Sequence, residues 1–158
     1  MVEAVCKPGA GVSIRELVSY RVSRAASLMS RGAALRYRRE FDVSLGEWRA
    51  LALLASGAPP SLTQLARAAG LDKAQISRVV SSLVQRGLVL REAAAATGRA
   101  VRLSLTAEGQ ALYGSLIAAA GERDRAFRAA LSAEELVILE RVLGKLVVQA
   151  RAFIDAEG

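Results

Sequence analysis

Histidine is absent from this 158-residue chain, and cysteine occurs once, at Cys6. The usual zinc and iron ligand sets draw on clusters of those two side chains, so neither a metal nor a cofactor is expected. A lone cysteine cannot close an internal disulfide, which fits a reducing, cytoplasmic setting. Missing too are a phosphate-binding glycine loop and a carboxylate pair in an apolar setting, so no catalytic residues and no enzyme are expected. The longest uncharged run, 50–66, contains Pro59–Pro60 and several polar residues and cannot be a membrane span. The opening MVEAVCKPGAGVSIRE lacks the apolar core of a secretory leader. Aromatic residues make up only 4%, while 31 alanines supply much of the 53% hydrophobic content. Alanine favours helix but buries little surface, which points to a helical frame with a thin core. A thin core invites a second subunit.

What is present is positive charge. The formal net charge is +7, with 19 arginines and 3 lysines against 15 acids. It is unevenly placed: residues 1–61 carry +4, residues 62–105 carry +5 and residues 106–158 carry −2. Arginine-rich composition alone is also what a codon bias produces. Concentration of the charge in the middle of the chain is what suggests a polyanionic partner.

Residues 1–12 look like a flexible arm. From Ser13, apolar residues recur at helical spacing (Ile14, Leu17, Val18, Val22, Leu28, Leu35), predicting one long helix over 13–40. It ends on Arg36, Arg38 and Arg39, either a solvated helix end or a hold on phosphate or another anion. Ser44 and Glu47 then form a capping box for the helix EWRALALLASG, with Trp48, Leu51, Ala52 and Leu54 or Ala55 facing inward. Trp48 reads as a core residue at a helix junction, with a ligand-pocket wall as the alternative.

Ser61 to Thr106 organises the rest. Ser61 and Gln64 make another capping box for a short helix, Gly70 and Leu71 a turn, and Asp72 the cap of a helix to about Arg86. Gly87 stops that helix, and two β-prone runs follow, Leu88 to Arg91 and Val101 to Leu105. Helix, turn, helix and hairpin make a winged helix-turn-helix, an arrangement that places one helix in a DNA major groove. On that helix Ile76, Val79, Val80, Leu83 and Val84 form the apolar stripe. The other face carries Lys73, Gln75, Ser77, Arg78, Ser81, Ser82 and Gln85, side chains suited to base edges and phosphates. Lys73, Gln75, Ser77 and Arg78, near the helix start, are the leading contacts, with Ser81 beside them. In the wing, Arg99 falls at the tip, where the narrow minor groove attracts arginine, and Arg91 and Arg102 are placed to meet phosphates. The bland alternative is a solvated polar face and a solvated loop charge.

Thr106 caps a helix to about Ala130, and Ser132 with Glu135 opens the last one. Leu136, Leu139, Leu143, Leu146, Val147, Ala150 and Phe153 share a stripe that Val137, Ile138, Val142 and Val148 widen. One packing partner cannot cover it, so a second chain is the natural cover. The expected fold is mainly α with a small β-hairpin wing: an arm at 1–12, a dimerisation helix at 13–40, a winged helix-turn-helix lobe at 41–105 and dimerisation helices at 106–158, in one integrated domain. Its N- and C-terminal helices form a dimerisation arm.

From Trp48 to Gly109 the chain resembles the multiple-antibiotic-resistance regulator (MarR) family. The likeness rests on EWRALALL, LTQLARAAGLDKAQISRVVSSLVQRGLV, the wing arginine Arg99 and the closing LTAEG at Leu105–Gly109. It implies a homodimeric transcription regulator binding palindromic promoter DNA, a repressor released by a small aromatic or anionic effector. By that resemblance the effector lies near the first helix and Trp48, with Tyr20, Arg24 and Met29 as candidates. Family wings commonly carry Asp-x-Arg where this sequence has Thr97-Gly98-Arg99. Two alternatives stay open: a winged-helix module that binds protein, and a regulator sensing oxidants through Cys6.

Overall fold

The computed structural model describes residues 12–57, 61–93 and 101–157. It contains helices α1 (Val18–Phe41), α2 (Leu45–Ala55), α3 (Leu62–Ala69) and α4 (Lys73–Gln85), strands β1 (Val89–Ala93) and β2 (Val101–Leu105), then helices α5 (Ala107–Ala129) and α6 (Ala133–Glu157). The chain divides into two compact units, one running to Tyr113 and the other from Gly114.

The first helix departs from expectation at its start. Ser13 and Glu16 close a capping box around a single 3-10 turn, Ile14–Glu16. Leu17 donates to the Ile14 carbonyl and adopts an extended conformation, φ −64° and ψ 131°. Once that turn is capped and closed, α1 has to begin afresh at Val18. At its other end Asp42 sits in the left-handed region at φ 50°, a conformation that short polar side chains tolerate better than most.

The first unit holds a core drawn from several elements. Ala50, Leu51 and Leu54 of α2 meet Leu65, Ala66 and Ala69 of α3 and Ile76, Val80 and Leu83 of α4 as fully or nearly fully buried side chains. Tyr37 of α1, Val43 and Val89 are buried as well. On α2 Leu51 and Leu54 face inward as expected, but they are joined there by Glu47 and Ala50, while Trp48 and Ala52 are only half-buried. The reason is polar, because Glu47 has bonding partners inside the fold.

A clasp below the wing fixes where α4 ends and α5 begins. Gly87 takes φ 70°, and the Leu88 N–H donates to the Leu83 carbonyl at 2.9 Å, closing α4. The Thr106 hydroxyl donates to the Gly87 carbonyl at 2.7 Å and accepts the Gly109 N–H at 2.9 Å. The Thr106 N–H donates to the Leu88 carbonyl at 3.2 Å. Gly109 lies so close to that carbonyl that a Cβ there would collide with it. β1 and β2 pair antiparallel from Val89↔Leu105 to Ala93↔Val101.

In the second unit Leu116 and Ala119 are buried, and Ser132 with Glu135 caps α6 through reciprocal bonds of 2.8 and 3.2 Å. The α6 stripe is open to solvent in the single chain: Leu139, Val142, Leu143, Val147 and Phe153 are all exposed. Exposed apolar side chains also run along α1, among them Val18, Val22, Leu28 and Leu35.

Candidate nucleic-acid interface

The start of α4 is set by a capping box. The Asp72 carboxylate accepts the Gln75 N–H at 2.7 Å, and the Gln75 side-chain oxygen accepts the Asp72 N–H at 3.1 Å. With Ile76, Val80 and Leu83 turned into the core, Lys73, Ser77, Arg78 and Ser81 are exposed on the far side. From Lys73 to Gln85 the helix has no acidic residue, and among the described residues no carboxylate pairs with Arg78. Gln75 shares that face, but its oxygen is committed to the cap, so only its amide hydrogens remain for another partner. The expected box at Ser61 and Gln64 forms by half. Ser61 Oγ accepts the Gln64 N–H at 3.2 Å, and the Gln64 side chain turns to the Ser61 hydroxyl, 3.1 Å away, instead of the backbone.

Ser82 is not part of the free face. Its hydroxyl donates to Glu47 Oε1 at 2.8 Å, and Arg86 Nη1 reaches the same oxygen at 3.2 Å. The other oxygen, Oε2, accepts the Ser44 N–H at 2.8 Å. Glu47 is 6% exposed. Burial raises its pKa, but the bonds from Ser44 and Ser82 and the Arg86 charge outweigh that and hold it below the ordinary carboxylate value. The carboxylate therefore pins the first turn of α2 to the last turns of α4. Sequence reasoning saw only the capping role of Glu47. A signal was present, since 47, 50, 51 and 54 share one helical face, which leaves an acid on the buried side.

In the wing, Arg91 and Arg102 are exposed, and the register sets Arg102 opposite Glu92. Arg99, Thr97, Gly98 and Cys6 lie outside the described residues. The arginines closing α1 have carboxylate partners: Arg36 with Glu40 at 2.8 Å, Arg38 with Asp42 at 2.8 Å and Arg39 with Glu40 at 2.7 Å. Hydrogen bonds from Arg36 and then Arg39 hold the Glu40 pKa below its ordinary value.

Among the residues expected near an effector, Trp48 is half-buried and packed against other rings. Its ring stacks on Tyr113 with centroids 6.1 Å apart and tilts against Tyr37 at 5.5 Å. It also edges a cleft of about 470 Å³ that includes Arg49 and Arg67. Tyr20 is half-buried, and Arg24 and Met29 are exposed. None of these three joins Trp48 in that cleft.

The sequence model of the MarR family matches residues 41–100, which span α2 to the hairpin. The chain is 30% identical over 100 residues to the HTH-type transcriptional regulator FarR of Neisseria gonorrhoeae, covering 63% of this chain and 68% of that protein. This chain belongs to the MarR family. Membership of the MarR family makes it a transcriptional regulator, with the winged-helix fold and hairpin expected of one. In fold it is similar to a MarR/EmrR family regulator from Acinetobacter sp. ADP1, with a TM-score of 0.81 at 24% identity over 89% of this chain and 99% of that one. A MarR-family protein of Mycobacterium tuberculosis, solved in complex with salicylic acid, matches with a TM-score of 0.67 at 26% identity over 82% and 96% of the two chains.

Proposed function

We propose that this chain is a homodimeric repressor that reads palindromic DNA through α4 and lets go when a small aromatic or anionic effector binds. The observation that carries the reading is the exposed face of α4. Lys73, Ser77, Arg78 and Ser81 are exposed, with no carboxylate partner among the described residues, on a helix whose opposite face is anchored in the core. Arg can bond a guanine edge at two points, and the shorter hydroxyls can bond bases or phosphates. Arg99 and Arg102 of the wing extend the contact beyond the groove that α4 occupies. The assignment is tested by a mobility-shift titration against the region upstream of its own gene over a range of salt. Binding that weakens steeply as salt rises is expected, because phosphate neutralisation releases counterions. Salt-insensitive binding, or none, overturns the reading.

Dimerisation is supported by the apolar side chains that α1 and α6 leave in solvent, which a monomer would expose. A two-fold pair would set two copies of α4 into successive major grooves, about 34 Å apart. Light scattering on the wild type and on Leu143→Arg tests this. A dimer that the substitution converts to monomers supports it, and a wild-type monomer at micromolar concentration rejects it. Effector release rests on the salicylic acid complex of the mycobacterial relative and on the ring cluster around Trp48. Salicylate should raise the melting temperature and lower DNA affinity together, as linkage requires.

A further inference from the structure

A second basic feature lies along one edge of α4 and shares Arg78 with the face assigned to base reading. Arg38 from the last turn of α1 joins Arg78 and Arg86 of α4 around one open cleft of about 390 Å³, with Ser44 at the start of α2. Positions 78, 82 and 86 are one helical turn apart, so the cleft follows the edge of α4 and not its outermost face. Two carboxylates share it. Glu47 is already satisfied by Ser44, Ser82 and Arg86. Asp42 is exposed and holds Arg38 across a solvent-accessible ion pair of 2.8 Å, a weak grip that another anion can displace. Three guanidinium groups thus face two carboxylates, and among the described residues Arg78 is the one of the three with no carboxylate partner.

We propose that this cleft seats a backbone phosphate of the DNA strand that walls the major groove beside α4. The inference rests on the DNA-binding reading. A helix with side chains is about 10–12 Å across and the major groove about 12 Å wide, so a docked helix fills the groove. Side chains on its outermost face then meet base edges, and those along its margins meet the phosphate walls. Arginine suits that task, because its planar fork can bond two phosphate oxygens at once. Arg38 is the informative member, because it comes from α1. A phosphate held jointly by Arg38 and the α4 arginines bridges the long first helix to the reading helix, with DNA itself as the bridge.

The test uses the full chain and a duplex selected by it from a random-sequence pool. Arg38→Gln is expected to weaken binding of the selected and of unselected duplexes by the same factor. It should also lower the slope of log affinity against log salt by about 1 for each phosphate no longer neutralised. Arg38→Lys should recover part of both. Asp42→Asn, which removes the competing carboxylate, should tighten binding, an outcome that misfolding cannot produce. A neutral methylphosphonate at the phosphate beside the α4 edge should weaken the wild type more than it weakens Arg38→Gln, because the two changes remove part of the same interaction; equal weakening overturns the role of Arg38. An unaltered salt slope in Arg38→Gln, or a weakening confined to the selected sequence, overturns the proposal. So does a small anion, inorganic phosphate or salicylate, that stabilises the DNA-free wild type but not Arg38→Gln while DNA binding is equal in the two. If the wild type binds no duplex, the DNA reading itself fails, and the cleft with it.

Discussion

The carboxylate of Glu47 accepts the Ser82 hydroxyl at 2.8 Å, joining the first turn of α2 to the later turns of α4 across 35 residues of sequence. A buried acid is tolerable only when its bonds are made, and here the same oxygen also meets Arg86. Glu47→Gln keeps the shape but weakens three charge-assisted bonds, and should cost about 1.5–3 kcal/mol of stability in urea denaturation. Ser82→Ala should cost about 1 kcal/mol, since Glu47 keeps its other partners. In the double variant the losses should fall short of additive, and simple additivity would show that the two side chains act separately.

The same group gives a sign to the acid side of the stability curve. Its folded pKa lies below the ordinary 4.5, despite burial, because of the bonds from Ser44 and Ser82 and the Arg86 charge. A lowered folded value means the contribution is complete above that ordinary pH and is lost as pH falls through the folded value. Thermal melts taken below about pH 4.5 should therefore show a steeper loss in the wild type than in Glu47→Gln, whose amide has no proton to gain.

Two glycines of α5 should respond oppositely to alanine. In an exposed helix interior alanine is favoured over glycine by about 0.8–1 kcal/mol. At Gly114 nothing lies within 4 Å of an added Cβ, so Gly114→Ala should raise the melting temperature. At Gly109 the Cβ would meet the Leu88 carbonyl, and Gly109→Ala should destabilise by about 1–3 kcal/mol despite the better helix former. Paired melts of the two variants read the difference directly.

Gln75 offers a way to separate a cap from a DNA contact. Glutamate at this third helical position completes the box with Asp72 at least as well, so Gln75→Glu should melt within about 0.5 kcal/mol of the wild type. Against DNA it loses the amide donors and places an anion near phosphates. Affinity should fall sharply in a mobility shift. Unchanged affinity would leave Gln75 with the capping role alone.

Most of the frame was legible because its signals are local. The Ser44, Asp72 and Ser132 caps and the Gly70 and Gly87 stops each follow from a few adjacent residues, and the structure holds all of them. The break at Leu17 was not legible, because it depends on a single capped turn competing with a helical pattern that runs through it. Nor was the inward turn of Glu47. Whether an acid at that position faces water or the interior depends on Ser82 and Arg86, which are distant in sequence and become visible as partners only once α2 and α4 are packed. Gln64 departs because its side-chain oxygen accepts the Ser61 hydroxyl in place of the Ser61 N–H, a choice the residue types alone leave open. The free face of α4 was readable as a face, but not that Gln75 and Ser82 would have part of their bonding spent within the fold.

Leu88 is used three times within a small space: its N–H closes α4, its carbonyl takes Thr106, and its backbone leaves no room for a side chain at position 109. Every one of these ties lies on the near side of the hairpin, before the strands reach Ala93 and Val101. The connection between those two residues can therefore be lengthened, shortened or rewritten with little cost to the lobe, because closing a somewhat longer loop on strands already paired is inexpensive. Evolution, or an engineer, can retune the tip proposed to meet the minor groove while α4 stays where it is.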